Sequence, residues 1–197
     1  MKSLFLAVRK GDLEKVKQLV NNNKSIVNSI AKQPPKKDDG QSPLQVAYKT
    51  GNFDIANYLI DMGADINYIE KKSINEWRAP VIHDAIRATI FSTRYPVSFG
   101  EQNSKKQFEN AFNSLKKIIK AGANMKAQDS FGNNCAMRAV LDARQFNYDE
   151  KKKYLIEDLK VIFKLLKQFG VDFNEATNTR ESALEFIKDE PIAKLIK

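Results

Sequence analysis

The chain has 197 residues, of which 42% are hydrophobic and 29% are charged, and its formal net charge at pH 7 is +9. This length fits one domain or one short repeat array, and the composition is that of a chain able to bury a core rather than of a disordered one. The single cysteine excludes an internal disulfide framework, and no apolar run approaches the roughly 20 residues of a membrane span.

The apolar run at the start of the sequence, residues 4–8, imitates the core of a signal peptide. It stops after five residues, at Arg9 and Lys10. A signal-peptide core has roughly 7–15 apolar residues. We therefore expect a soluble, cytoplasmic protein without an N-terminal secretion signal.

The first predicted elements are two short helices in residues 4–20, separated by Gly11. The same pattern is clearer in residues 42–67, SPLQVAYKTGNFDIANYLIDMGADIN, where Gly51 lies between two apolar stretches. Helices of only two or three turns do not persist alone in water. Such pairs must therefore stack on copies of themselves.

The second pair carries specific signals for the start and end of a helix. Ser42 is a favoured capping residue, and Pro43 suits the first helical position because its missing N–H would have no partner there. Glycine ends a helix readily because it adopts the left-handed conformation without steric strain. We therefore predict a helix from Pro43 that ends at Gly51, and a second helix that ends at Gly63.

Residues 36–67 resemble an ankyrin repeat almost position for position. The matching residues are Gly40, Ser42, Pro43, Leu44, Ala47, Gly51, Leu59, Gly63, Ala64, Asp65, Ile66 and Asn67. The resemblance implies an all-α fold, an ankyrin-repeat solenoid of stacked helix-turn-helix units with short β-hairpin fingers. In such a solenoid each repeat touches only its neighbours.

The rest of the chain carries further copies of this pattern. Residues 79–85 are similar to the family signature with one extra residue, a fourth copy runs from 129 to 174, and a shortened fifth closes the chain. We therefore predict a single ankyrin repeat domain over residues 1–197, with repeats at approximately 1–36, 37–70, 71–128, 129–176 and 177–197.

Two insertions lengthen the third and fourth copies. They occupy residues 91–106 and 144–154, and the second helices beside them are predicted at roughly 106–121 and 150–168. Equivalent joints are neighbours in a stacked solenoid, so the insertions are expected to meet on the edge opposite the fingers. Their aromatic residues form either a second binding surface or a seal over the ends of the lengthened helices. These residues are Phe91, Tyr95, Phe99, Phe146, Tyr148 and Tyr154.

Two residues are candidates for chemistry. The signature histidine of the family braces neighbouring backbone, and the resemblance implies this role for His83, the only histidine, rather than catalysis beside Asp84. Cys135 falls at a helix start, where we expect a small buried core residue rather than a reactive thiol. The sequence contains no cluster with metal-ligand spacing, no phosphate loop and no nucleophile motif. We predict a non-enzymatic protein with no catalytic residues, cofactors or metal.

Charge is distributed unevenly along the chain. Residues 1–37 hold nine Lys/Arg against two Asp/Glu, residues 38–70 hold one against six, and residues 105–128 hold six against one. The basic segments indicate an acidic partner, or they only solvate exposed helices. The acidic second repeat interrupts any continuous track for a phosphate backbone, and arginine, the better residue for reading bases, is outnumbered by lysine.

These observations favour a protein–protein interaction module that is a monomer and binds an unidentified protein with an acidic face. The alternative is binding of nucleic acid or an anionic surface through the basic N-terminal and third-repeat regions. The resemblance implies a concave binding surface made of finger tips and first-helix faces. The contact residues that it implies are Arg9, Lys10, Asp38, Asp39, Gln41, Lys49, Thr50, Asn75, Glu76, Trp77, Arg78, Arg87, Ser130, Phe131, Asn133 and Asp142.

The position of Trp77 in the sequence has two interpretations. It lies near a finger tip, and an exposed tryptophan is a common anchor of interfaces. It could equally fold down to cover the extra residue in its repeat.

Overall fold

The computed structural model describes residues 2–32, 35–71, 73–95, 102–146 and 152–196. These residues form ten α-helices and two 3-10 helices. The α-helices are α1 (Lys2–Lys10), α2 (Leu13–Asn22), α3 (Pro43–Lys49), α4 (Phe53–Asp61), α5 (Val81–Phe91), α6 (Lys105–Lys120), α7 (Cys135–Ala143), α8 (Lys153–Gln168), α9 (Ala183–Phe186) and α10 (Ala193–Ile196). The 3-10 helices are Lys24–Asn28 and Lys36–Asp38.

The α-helices form pairs that stack side by side in two rows. In the first row α1, α3, α5, α7 and α9 each contact the next helix, and α2, α4, α6, α8 and α10 do the same in the second row. Each pair buries its apolar faces against the next, which explains how a helix as short as the seven-residue α3 is stable. This arrangement is the all-α solenoid that the sequence predicts.

The predicted signals at the second pair act as expected. The Ser42 hydroxyl accepts a hydrogen bond from the backbone N–H of Gln45 at 3.2 Å, and the Gln45 side chain accepts one from the backbone N–H of Ser42 at 3.1 Å. Pro43 occupies the first helical position. Gly51 follows α3 in the left-handed conformation, with a φ of 71°. The two capping bonds give partners to N–H groups that the start of a helix leaves unpaired, and Pro43 has no N–H that needs one.

The loops between successive pairs correspond to the predicted fingers. In the first finger the N–H of Ala31 donates to the Gln41 carbonyl at 2.8 Å, and the N–H of Gly40 donates to the Ala31 carbonyl at 3.0 Å. In the second, an isolated antiparallel bridge joins Ile69 and Pro80. No β-strand forms within the described ranges, so these fingers are tight loops rather than regular hairpins. Proline has no N–H with which to extend the second bridge into a ladder.

The hydrophobic core lies between the two rows and between neighbouring pairs. Its largest fully buried side chains are Tyr48, Phe163, Phe173, Leu4, Leu44, Ile55, Leu59, Ile82, Ile86, Ile90, Leu115 and Ile118. Burial of one large apolar side chain contributes roughly 1.5–3 kcal/mol to folding, so the contacts between pairs dominate the stability of the solenoid. Among the described residues no helix is long and apolar enough to cross a membrane.

The two insertions contact each other through their described residues. The lengthened helices α6 and α8 begin at Lys105 and Lys153, close to the predicted starts. Phe146 packs against Phe91 with ring centroids 5.7 Å apart, and against Tyr95 with centroids 4.8 Å apart. The predicted meeting of the two insertions is therefore confirmed for these residues.

Arg94 ties the first insertion to α8. Its guanidinium donates to both carboxylate oxygens of Asp158, at 2.6 Å for the shortest bond, and lies 4.6 Å from the Tyr154 ring centroid. Phe99 and Tyr148 lie outside the described residues. The two interpretations of the aromatic patch, a second binding surface and a seal over helix ends, both stay predictions.

Candidate protein-binding surface

Trp77 lies in the loop before α5 and is half-buried. Its indole N–H donates to Asp129 Oδ2 at 2.8 Å, and Asp129 also accepts from the side-chain amide of Asn133 at 2.9 Å. Burial raises the pKa of Asp129, but hydrogen bonds from Asn133, Trp77 and the backbone outweigh it and hold the pKa below its ordinary value. The charged carboxylate thus holds the indole in one orientation, with part of its surface exposed.

Three cationic side chains surround the Trp77 ring. The Lys49 ammonium lies 5.8 Å from the ring centroid, the guanidinium carbon of Arg87 lies 5.6 Å from it and that of Arg138 lies 5.4 Å from it. Cations are attracted to the electron-rich face of an indole. Because these three side chains come from α3, α5 and α7, the cluster spans three successive helices of the first row.

Asp142 balances part of this positive charge. It is buried, and it accepts hydrogen bonds from two nitrogens of Arg138 at 2.7 and 2.5 Å. A nitrogen of Arg87 lies 3.7 Å from the same carboxylate. Burial raises the pKa of Asp142, and the two guanidinium groups oppose that rise. Lys49, by contrast, is exposed, and no described carboxylate lies within ion-pair distance of its ammonium.

Arg138 is not among the predicted contact residues. It is only 8% exposed. The signal that could have revealed it is the spacing of Arg138 and Asp142, four residues apart on one helix face, which is typical of an ion pair.

Arg9 occupies a position in α1 equivalent to that of Lys49 in α3, since each lies two residues before the glycine that follows its helix. The Arg9 guanidinium donates to both carboxylate oxygens of Asp38 in the first finger. This pair ties α1 to the finger. The charge of Arg9 is therefore paired within the fold. The exposed Lys49 ammonium forms no ion pair with a described carboxylate, and its charge acts through space on the buried carboxyl groups of Glu70 and Asp84.

Four predicted contact residues are buried: Asp38, Gln41, Asn133 and Asp142. Each is held by an internal pairing, and the pairs are Arg9–Asp38, Gln41–Glu70, Asn133–Asp129 and Arg138–Asp142. A polar side chain that loses water must be paired inside the fold, and these pairings use the groups that a partner would have contacted. The structure thus corrects the prediction by removing these four residues from the accessible surface.

The other twelve candidates keep accessible surface. Lys10, Lys49, Glu76, Ser130 and Phe131 are exposed. Arg9, Asp39, Thr50, Asn75, Trp77, Arg78 and Arg87 are half-buried. The Ser130 hydroxyl donates to the carbonyl of Glu76 at 2.9 Å and accepts from the N–H of Arg78 at 3.0 Å. The second and third fingers therefore form one continuous surface beside Trp77.

A buried polar network lies between α3 and α5. The side-chain amide of Gln45 donates to Asp84 Oδ2 at 3.0 Å and to Glu70 Oε1 at 3.3 Å, and Gln41 donates to the same Glu70 oxygen at 2.9 Å. Glu70 Oε2, Asp84 Oδ1 and the side-chain amide oxygen of Gln41 meet no donor among the described residues. Burial raises the pKa of Asp84 to about 7; the positive charge of Lys49 opposes this rise, and the negative charge of Glu70 adds to it. A protonated Asp84 supplies a donor to a network that is otherwise rich in acceptors.

His83 and Cys135 have the structural roles that the sequence predicts. His83 is buried, and its Nε2 lies 3.1 Å from the carbonyl oxygen of Ala127. Burial lowers the pKa of His83 to about 4, so the neutral ring donates this hydrogen bond. Cys135 is buried, and burial raises the pKa of its thiol to about 12, which disfavours the reactive thiolate. Within the described ranges, no group of three or more His, Cys, Asp or Glu could hold a metal ion.

The stacked helix pairs, with a surface formed by first helices and fingers, define the chain as an α-solenoid repeat protein. Residues 1–73 match the family model described as ankyrin repeats (3 copies), so this part of the chain is similar to ankyrin repeat proteins. A search of the curated proteins gave no match. Ankyrin repeats are generally protein–protein interaction modules and are generally non-enzymatic.

Proposed function

We propose that the chain binds a partner protein through the Trp77 surface, which we define as Lys49, Trp77, Arg87 and the neighbouring finger residues Glu76 and Ser130. The observation that supports this proposal is the cluster of cations around one half-buried indole. Tryptophan and arginine are among the residues enriched as energetic anchors of protein interfaces. Both are present here on the face that the stacked first helices and fingers form together.

The charges of the Trp77 surface favour an acidic group on the partner. No described carboxylate forms a direct ion pair with Lys49, although its charge acts through space on the buried Glu70 and Asp84, and Arg87 shares the Asp142 carboxylate with Arg138. A carboxylate of the partner placed between Lys49 and Arg87 meets two cations, while an adjacent apolar side chain packs on the exposed part of Trp77. Such charge complementarity contributes to specificity and to the rate of association.

The remaining parts of the proposal concern the whole chain. We propose a non-enzymatic cytoplasmic monomer built of five repeats, with boundaries near residues 36, 70, 128 and 176. The partner is a protein with an acidic face. Binding of nucleic acid through the basic N-terminal and third-repeat regions is the alternative outcome of the test below.

The test compares the wild-type chain with Lys49→Glu and Trp77→Ala in affinity purification from the native cells, followed by calorimetric titration of the recovered partner. Each variant should weaken binding by about tenfold or more, the size of effect typical of an interface anchor. Trp77→Phe keeps an aromatic ring and should retain more affinity than Trp77→Ala. Lys164→Glu makes the same charge change at an exposed position on α8 and should leave the affinity unchanged.

Two results contradict the proposal. One is a partner protein whose affinity is the same for the wild type, Lys49→Glu and Trp77→Ala. The other is recovery of nuclease-sensitive material whose binding falls steeply with salt, since phosphate contacts release counterions. The second result would support the nucleic-acid alternative.

A further inference from the structure

An apolar groove lies at the N-terminal end of the solenoid, between α1 and the first finger. Its volume is about 360 Å³, and the side chains that line it include Phe5, Leu6, Ile30, Ala31 and Pro35. We call it the N-terminal groove. Leu6 is 55% exposed, and no large hydrophobic residue in the described part of the chain is more exposed.

The groove is open because no described helix precedes α1 in its row. Leu6 lies five residues before Gly11, and Val46 lies five residues before Gly51, so the two occupy equivalent positions in α1 and α3. Val46 is fully buried, and α3 packs against α1. No described helix packs on the corresponding face of α1, and Leu6 therefore stays in solvent.

The rim of the groove is basic. Lys2 and Lys32 line it, both are exposed, and no described carboxylate forms an ion pair with either. Arg9 is also at the groove, but its charge is matched by Asp38. Residues 1–37 hold nine Lys/Arg against two Asp/Glu. The complement of this groove is an apolar face flanked by carboxylates.

We propose that the N-terminal groove binds an acidic amphipathic helix of a partner protein. A helix laid against α1 continues the first row at the usual interhelical distance of about 8–10 Å. Its apolar residues at i, i+3 or i+4, and i+7 enter between Leu6 and Ile30, which is the helix-in-groove mode of recognition. Its flanking Asp or Glu residues meet Lys2 and Lys32. This site is separate from the Trp77 surface and does not depend on it.

The test uses two synthetic fluorescein-labelled helical peptides with the same leucine face, one flanked by glutamates and the other by lysines. Fluorescence anisotropy measures their binding to the full chain. The glutamate peptide should bind saturably and the lysine peptide should not. Leu6→Asp should weaken binding of the glutamate peptide by about tenfold or more, since it places a negative charge where an apolar contact is needed. The double variant Lys2→Glu/Lys32→Glu should weaken it similarly.

Trp77→Ala and Lys164→Glu serve as controls and should leave peptide binding unchanged, which separates this site from the Trp77 surface. Circular dichroism checks that each variant is folded, and Leu6→Ala, which adds no charge, should weaken binding in the same direction if Leu6→Asp does not fold. Equal binding of both peptides, or no saturable binding of the glutamate peptide, overturns the proposal. The proposal is also overturned if sedimentation shows that the wild type is a dimer and that Leu6→Asp abolishes this dimer, because a second copy of the chain then fills the groove.

Discussion

Two adjacent buried residues on α5 should make the stability of the protein depend on pH in opposite directions. Burial lowers the pKa of His83 from 6.5 to about 4 and raises the pKa of Asp84 from 3.8 to about 7. In the unfolded chain both side chains return to their ordinary pKa values. The folded protein near pH 5.5 therefore holds His83 neutral and Asp84 protonated, whereas the unfolded chain carries both charges.

The sign of each effect follows from which state binds the proton. For His83 the unfolded chain binds more protons between pH 4 and 6.5, so this residue makes stability rise with pH across that window. For Asp84 the folded protein binds more protons between pH 3.8 and 7, so stability is lost as pH rises through that window. Each slope is about 1.4 kcal/mol per pH unit, and the full effects are about 3 and about 4 kcal/mol.

The wild-type protein should therefore show little net contribution from this pair below pH 6.5, and single variants should reveal each half. In Asp84→Asn the free energy of unfolding should rise with pH, relative to the wild type, by about 1.4 kcal/mol per unit. In His83→Gln it should fall by a similar amount. Both variants keep a group that can replace the native hydrogen bond, to Gln45 or to the Ala127 carbonyl.

Urea denaturation at constant ionic strength, in half-unit steps from about pH 4.5 to about 7.5, measures these slopes. Glu70, whose pKa burial also raises, is present in every variant, so its contribution largely cancels in the comparison. Glu181→Gln removes an exposed carboxyl group and should leave the profile unchanged. Parallel profiles for the wild type and Asp84→Asn would refute the reasoning, because they would mean that Asp84 is ionised in the folded protein.

Two further predictions concern stability and are also measured by urea denaturation. Gly51→Ala should lower the free energy of unfolding by about 1 kcal/mol, from its positive φ alone. Gly132→Ala should lower it more, because a Cβ there would lie 1.9 Å from the Thr179 hydroxyl. Equal losses of stability for the two variants, or no recovery of stability when Thr179→Ala is added to Gly132→Ala, would contradict this. Arg94→Met should cost about 3 kcal/mol, because the buried Asp158 carboxylate loses its cationic partner and keeps only the hydrogen bond from the backbone N–H of residue 94. A loss below about 1 kcal/mol would show that water replaces the guanidinium.

The helices of the second pair illustrate what could be predicted without the structure. Ser42, Pro43 and Gly51 act within a few residues of their own positions, through a capping bond, a fixed φ and a left-handed turn. The repeat pattern then requires each pair to stack on its neighbours, because a short helix buries nothing alone. The meeting of the two insertions follows from the same stacking and is confirmed by the contact of Phe91 with Phe146.

The candidate site could be predicted only in part. Lys49, Trp77 and Arg87 are accessible as expected, but Gln41 and Asp142 are buried. Nothing near Gln41 in the sequence indicates this, because its partner Glu70 is 29 residues away. Sequence periodicity predicts which face of a helix is covered, but it does not predict which polar residue on that face is paired inside.

The sequence by itself determined the class of fold, the positions of the helix pairs and the joint where each insertion lies, because caps, glycines and apolar spacing act locally. The tertiary structure alone decided that Arg138 joins Lys49 and Arg87 around one indole, that Asp84 sits in a network of acceptors and that Leu6 is left uncovered. The first two depend on contacts between different repeats, and the exposure of Leu6 depends on the lack of a described helix packed against α1. Burial, charge pairing and exposure are set by those contacts, and so they could be assigned only once the repeats were stacked.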